Sequence, residues 1–131
     1  MEEPLVFIVE DEDVLRRGIV KRLTRHHYNV REFDSGEALL SFIGLKKEKP
    51  DVLLMDYKMP GMNGLETLEV IQKNIYSVST IILTAYEGDV NVEAAQKLGV
   101  YAVCTKTLEF EGLIQIVNGA LADRELQRRD S

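Results

Sequence analysis

The chain carries one cysteine, no long apolar stretch and less positive than negative charge. Each shortage closes off a class of protein. A lone thiol, Cys104, cannot form an internal disulfide, and its place in an apolar run suits a small buried hydrophobe better than a redox group. No segment approaches the roughly 20 apolar residues that span a bilayer, so no membrane association is expected. The acidic opening from Met1 to Pro4 and the short apolar run after it do not read as a signal peptide. The expected setting is reducing and cytoplasmic. A formal charge of −6 argues against direct contact with nucleic acid, because such a surface must neutralise phosphates with clustered Lys and Arg. The sequence holds neither internal repeats nor low-complexity segments.

What is present fits one domain. A length of 131 residues with 45% hydrophobic composition is enough for a single core. Strand-like and helix-like segments alternate five times, which points to an α/β fold with a parallel sheet covered on both faces. Leu5 to Val9 reads as the first strand. Val14, Leu15, Ile19 and Leu23 recur at helical spacing and predict a helix from Asp13 to about His26. Val30 to Phe33 is the second strand, and Ser35 can cap a second helix carrying Ala38, Leu39, Phe42 and Ile43. A charged turn, Lys46 to Pro50, precedes the nearly continuous apolar run Asp51 to Met55, as suits a central strand buried on both faces. Gly64 to Asn74 predicts the third helix and about Gly88 to Leu98 the fourth, with Gly99 as a stop. Tyr101 to Thr105 is the last strand. The last helix begins near Glu109, and the charged stretch 123–131 continues it as a helical tail or the start of a linker. Residues 1–122 form the expected domain.

Four of the apolar runs end in residues that carry chemistry. Glu10 and Asp11 follow the first strand, Asp56 the third, Thr84 the fourth and Lys106 the fifth. Parallel strands point the same way, and ligands gather in the crevice beyond their carboxyl ends, so these residues should meet in one pocket.

The phrases VFIVEDED, LLMDYKMPGMNGLE, IILTAYEG and VCTKT together resemble the receiver domain of bacterial two-component response regulators, over most of the chain from Val6 to Ala122. The resemblance implies a flavodoxin-like, doubly wound sheet of five parallel strands in the order 2-1-3-4-5 with five helices. It implies that Asp56 accepts a phosphoryl group from a sensor histidine kinase or a phosphotransfer protein. Mg²⁺ would be held by Asp11, Asp56 and the backbone carbonyl of Lys58, with Glu10 reaching it through water. Thr84 and Lys106 would hold oxygens of the attached group.

The residue types suit that chemistry. Mg²⁺ takes near-octahedral oxygen coordination and keeps several waters, so one or two carboxylates and a carbonyl suffice. An aspartate is a weak nucleophile that can still take a phosphoryl group when cations spread the charge of a loose transition state. Lysine offers a compact charge on a flexible stem, able to pair with Asp56 before the reaction and with a phosphoryl oxygen after it. A threonine hydroxyl bonded to that group would pull its loop inward.

Each residue taken alone has a plainer reading. Glu10 and Asp11 could cap the first helix. Asp56 could serve a turn beside Pro60, Gly61 and Gly64. Thr84 could simply end a strand, and Lys106 could be an exposed lysine. The ordered coincidence of four strand ends favours the phosphoryl site. His26 and His27 have no ligand cluster around them and read as structural. Met55, Met59 and Met62 read as packing, and Lys46, Lys47 and Lys49 as a solvated loop.

Two positions depart from the receiver pattern. Val103 stands where an aromatic residue is usual, three positions before the lysine, and Tyr101 lies two residues earlier. Alternation along the strand would put Tyr101 on the Val103 side, about 7 Å further from the site. The aromatic switch of the family is expected to be absent or displaced. Thr107 replaces the proline that usually follows the lysine through a cis bond, and a cis bond before any other residue costs about 2.5–4 kcal/mol. Either a trans peptide with a rearranged turn or a strained cis bond is expected. Lys58 and Tyr86 occupy positions that flank the path of hydrolytic water in the family; both are bulky and neither is a carboxylate or amide that could orient it, so a fairly long-lived phosphoryl state is expected.

The favoured function is a switch that remodels the surface of the fourth helix, fifth strand and fifth helix for a partner or a carboxyl-terminal output domain. The resemblance also allows phosphorylation-dependent dimerisation. The alternative is a phosphorelay carrier that passes the group to a histidine phosphotransfer protein. A phosphohydrolase is disfavoured because Lys58 stands where a general-acid aspartate would be needed.

Overall fold

The computed structural model describes residues 3–45 and 48–130. Lys46 and Lys47 of the expected charged turn lie outside the described residues, as do Met1, Glu2 and Ser131. The elements follow the predicted alternation: β1 (Leu5–Val9), α1 (Asp13–Arg25), β2 (Asn29–Phe33), α2 (Gly36–Leu45), β3 (Val52–Asp56), α3 (Gly64–Asn74), β4 (Ser79–Thr84), α4 (Val92–Lys97), β5 (Ala102–Thr105) and α5 (Phe110–Asp130). The strands form one parallel sheet in the order β2-β1-β3-β4-β5.

Alternating side chains build two apolar layers. Phe7, Val9, Leu53, Met55 and Ile82 pack with Leu39 of α2, Leu68 of α3 and Ala95 of α4. Val6, Ile8, Leu54, Ile81 and Leu83 pack on the other face with Ile19 and Leu23 of α1 and Leu113 and Val117 of α5. All five residues of β3 are buried. That explains the apolar run Val52 to Met55, since a strand covered on both faces has no polar side to show, and Asp56 ends it. The chain reverses direction across the sheet between β1 and β3. This opens a crevice at their carboxyl ends.

Caps set the helix starts. Ser35 Oγ accepts from the Ala38 amide at 3.0 Å and opens α2. Asn63 and Glu66 form a reciprocal capping box at α3. Gly64 is required there, because a Cβ would stand 2.6 Å from the Asp56 carbonyl oxygen. In α1, His27 adopts φ 66° just beyond the last turn and ends the helix without a glycine.

Two expectations need correction. The fourth helix does not start near Gly88: a 3₁₀ turn spans Glu87–Asp89, and α4 begins only at Val92 after Asn91 accepts from the Ala94 amide. Helical spacing had merged two short pieces that Asn91 separates. Tyr101 does not belong to the last strand, which starts at Ala102. Its hydroxyl rests over Gly119 of α5, whereas Val103 packs in the layer that holds Ala94 and Ala95 of α4. Strict alternation fails because it holds only within a strand.

Candidate functional site

The carboxyl ends of β1, β3, β4 and β5 bring the sequence-predicted residues together. Glu10, directly after β1, is fully buried, and Asp11 beside it is exposed. Capping does not account for this pair: α1 has Glu12 as its N-cap and no side-chain cap bond. Glu10 Oε2 accepts from the Glu12 amide at 3.0 Å, while Oε1 faces the Lys106 ammonium at 2.9 Å.

Asp56 ends β3 and is 1% exposed. Lys106 Nζ donates to its Oδ2 at 2.9 Å. The ammonium thus bridges two buried carboxylates. Burial lifts the Asp56 carboxyl to about 7 and the neighbouring Glu10 charge pushes the same way, while the Lys106 hydrogen bond pulls it down. Burial lowers the Lys106 ammonium, but Asp56 and Glu10 together outweigh it and raise the group above its ordinary value. Lysine therefore stays charged at neutral pH.

The turn that carries Lys106 is trans throughout, since no cis peptide occurs among the described residues. Lys106 N–H bonds the Thr84 carbonyl at 2.8 Å and Leu108 N–H the Thr105 carbonyl at 3.1 Å. Thr105 and Thr107 hydroxyls lie 2.9 Å apart on either side of the lysine. A trans turn thus presents the ammonium to Asp56.

Thr84, at the end of β4, is buried but turned to its own loop. Its hydroxyl donates to the Tyr86 carbonyl at 3.0 Å and accepts from the Tyr86 amide at 3.3 Å. Lys58 and Tyr86 are exposed at the rim. The loop after β3 is held from α2, where Glu37 accepts from the Met62 amide at 3.3 Å and lies against Gly61, whose φ is 80°.

Glu10, Asp11 and Asp56 each offer a carboxylate oxygen within 4.8 Å of the others. Glu10 Oε1 is buried with no aligned hydrogen bond, so its contact to Lys106 is ionic. Three hard oxygen donors, two of them from buried carboxylates, suit a small divalent cation such as Mg²⁺.

Residues 6–118 match the response regulator receiver domain family. The chain belongs to that family. This receiver domain is 30% identical over 130 residues to the DNA-binding transcriptional regulator NtrC of Klebsiella pneumoniae, covering 98% of this chain and 27% of that protein. It is 30% identical over 119 residues to the response regulator GacA of Pseudomonas aeruginosa, covering 89% of this chain and 55% of GacA. The receiver domain thus spans about a quarter to just over half of these curated relatives. Among solved structures, FixJ-N superposes with a TM-score of 0.81 at 29% identity, covering 93% of this chain and 96% of that one. TrrA of Thermotoga maritima, solved in complex with Mg²⁺ and BeF, gives 0.79 at 25% identity, covering 92% of this chain and 100% of that one. Receiver domains bind Mg²⁺ at an acidic pocket, and this chain carries an acidic cluster of Glu10, Asp11 and Asp56.

Sequence reasoning did not single out Arg16. It is 8% exposed and bonds the Glu10 carbonyl, Asp13 and Glu32. A legible signal existed: Arg16 shares the inward stripe of α1 with Ile19 and Leu23, where a charge is out of place.

Proposed function

We propose that this receiver domain takes a phosphoryl group onto Asp56 from a phosphohistidine of a sensor kinase or phosphotransfer protein. The observation that carries the reading is the Lys106 ammonium bridging Asp56 and Glu10 beside exposed Asp11. An Asp56 oxygen attacks phosphorus and an O–P bond forms as the P–N bond breaks. The leaving imidazole nitrogen keeps the electron pair and takes a proton from solvent. Mg²⁺, held by Asp11, Asp56 and the Lys58 carbonyl with Glu10 acting through water, would neutralise charge on the phosphoryl oxygens.

Lys106 already sits against the attacking carboxylate and needs only to pass to a phosphoryl oxygen. Thr84 must first leave its two bonds to Tyr86, each a net contribution of about 1 kcal/mol. That exchange couples the modification to the loop before α4. That loop runs through the 3₁₀ turn Glu87–Asp89 directly into α4 at its cap Asn91, so a shift of the loop is passed to α4. The remodelled surface comprises α4, β5 and α5. In this reading residues 1–122 are the receiver and the charged tail, into which α5 continues as far as Asp130, leads on to an output module; Arg124 of the tail still bonds Asp51 of the domain body. Lys58 and Tyr86 are bulky and neither is a carboxylate or amide that could orient hydrolytic water, so in this reading the phosphoryl state is fairly long-lived.

Incubation with acetyl phosphate and Mg²⁺ tests the proposal, with intact and peptide mass spectrometry to locate the added group. Labelling on the peptide containing Asp56, and none in Asp56→Asn, is expected. No labelling of the parent with Mg²⁺ demonstrably bound would sink it.

A further inference from the structure

We infer that Arg16 is a positioning residue for the acidic site: by bonding the Glu10 carbonyl it holds the Glu10–Asp11 peptide plane and so aims both carboxylates. The inference rests on Glu10 and Asp11 acting toward Mg²⁺ as proposed above.

Arginine is almost never buried without partners, and Arg16 spreads its fork over three segments. Nη1 donates to the Glu10 carbonyl at 2.9 Å, Nε to Glu32 at 2.9 Å at the edge strand β2, and Nη2 to Asp13 at 2.7 Å in its own first turn. Only the bond to the Glu10 carbonyl is buried. The carboxylates of Asp13 and Glu32 are 68% and 43% exposed, where ion pairs contribute little and do not require a guanidinium drawn inside.

Glu10 is held at every polar group. Its N–H donates to the Phe33 carbonyl at 3.0 Å and its carbonyl accepts from Arg16. Its carboxylate meets the Glu12 amide and Lys106. Asp11 is different, since its exposed carboxylate receives no hydrogen bond from the described residues. Its direction depends on its backbone. A peptide is planar, so fixing the Glu10 oxygen fixes the Asp11 nitrogen with it and narrows the arc open to the Asp11 side chain.

The charge of Arg16 makes the idea decisive to test. A guanidinium beside a cation site repels the cation, so its removal alone would tighten Mg²⁺ binding. Loss of positioning predicts the opposite sign. Mg²⁺ affinity would be measured on the full chain by following backbone amide shifts of Glu10 to Glu12 in NMR titrations, with thermal melts in EDTA to confirm folding. Arg16→Met keeps the apolar stem and should bind Mg²⁺ roughly tenfold more weakly, in the range lost when outer partners of metal ligands are removed. Glu32→Gln and Asp13→Asn leave the Glu10 bond in place and remove only exposed carboxylates, so they should weaken Mg²⁺ binding far less than Arg16→Met; an equal loss overturns the inference. A folded Arg16→Met that binds Mg²⁺ as tightly as the parent, or more tightly, overturns the inference. If Arg16→Met does not fold, Arg16→Lys decides it: charge is retained but the fork is lost, so weaker binding supports the inference and parental binding overturns it. Parent protein that fails to bind Mg²⁺ any better than Asp11→Asn would instead remove the underlying reading of the acidic site.

Discussion

The Lys106 ammonium lies 2.9 Å from Asp56 Oδ2 although the peptide that follows the lysine is trans. Main-chain bonds from Lys106 to Thr84 and from Leu108 to Thr105 hold the turn. Proline is therefore not needed to deliver the charge. The same ammonium separates two buried carboxylates, and the electrostatics of the site depend on it.

Replacing Lys106 by Met should leave Glu10 and Asp56 as unpaired neighbours. Breaking a buried pair by removing one partner costs about 3–5 kcal/mol, and the partial exposure of Lys106 reduces this to roughly 1–3 kcal/mol. Urea denaturation in EDTA at pH 7 would measure the loss. Labelling by acetyl phosphate should fall at least tenfold. Unchanged stability would mean that the carboxylates are screened by water.

Asp56→Asn should be more stable than the parent at neutral pH in the absence of Mg²⁺, with the gap closing in acid. The Asp56 carboxyl is raised to about 7 in the folded chain. Between its unfolded value near 4 and that point the folded state binds the extra proton, so its stabilising effect is complete at low pH and is lost as pH rises toward 7. Denaturation midpoints of both proteins from pH 4 to 8 would test this. A parent that loses no stability relative to Asp56→Asn over that window would contradict the raised value.

Thr107→Val removes the hydroxyl pair with Thr105 and leaves the main-chain bonds of the turn intact. The pair is exposed, so the cost should be no more than about 0.5–1 kcal/mol. The rate of labelling at Asp56 should not change. A large fall in rate would show that the hydroxyl pair aims the lysine.

Gly119→Ala should stabilise the protein slightly and move Tyr101. The new methyl would stand 2.5 Å from the Tyr101 hydroxyl, the far end of a half-exposed side chain that can swing outward. Alanine in place of glycine inside a helix contributes about 1 kcal/mol, which exceeds the cost of that swing. Melting curves and the NMR shifts of the Tyr101 ring would report both effects. A drop in stability would mean that Tyr101 is locked over α5.

The alternation, the two-faced burial of β3 and the chemistry-bearing residues at the strand ends are all legible along the chain. These are local matters: a doubly covered strand must be apolar throughout, and a parallel sheet must bring its carboxyl ends to one side. Whereas the Asn91 cap that splits the fourth helical stretch is a local bond to Ala94, only the packed fold shows that Tyr101 leaves the strand for α5 and that a trans turn still carries Lys106 to Asp56. It also decided the part played by Arg16, which reads as a misplaced charge on a helix until the Glu10 carbonyl is found beside it. A buried ion or hydrogen bond depends on partners brought from other elements, and no periodicity along the chain records which partner will arrive.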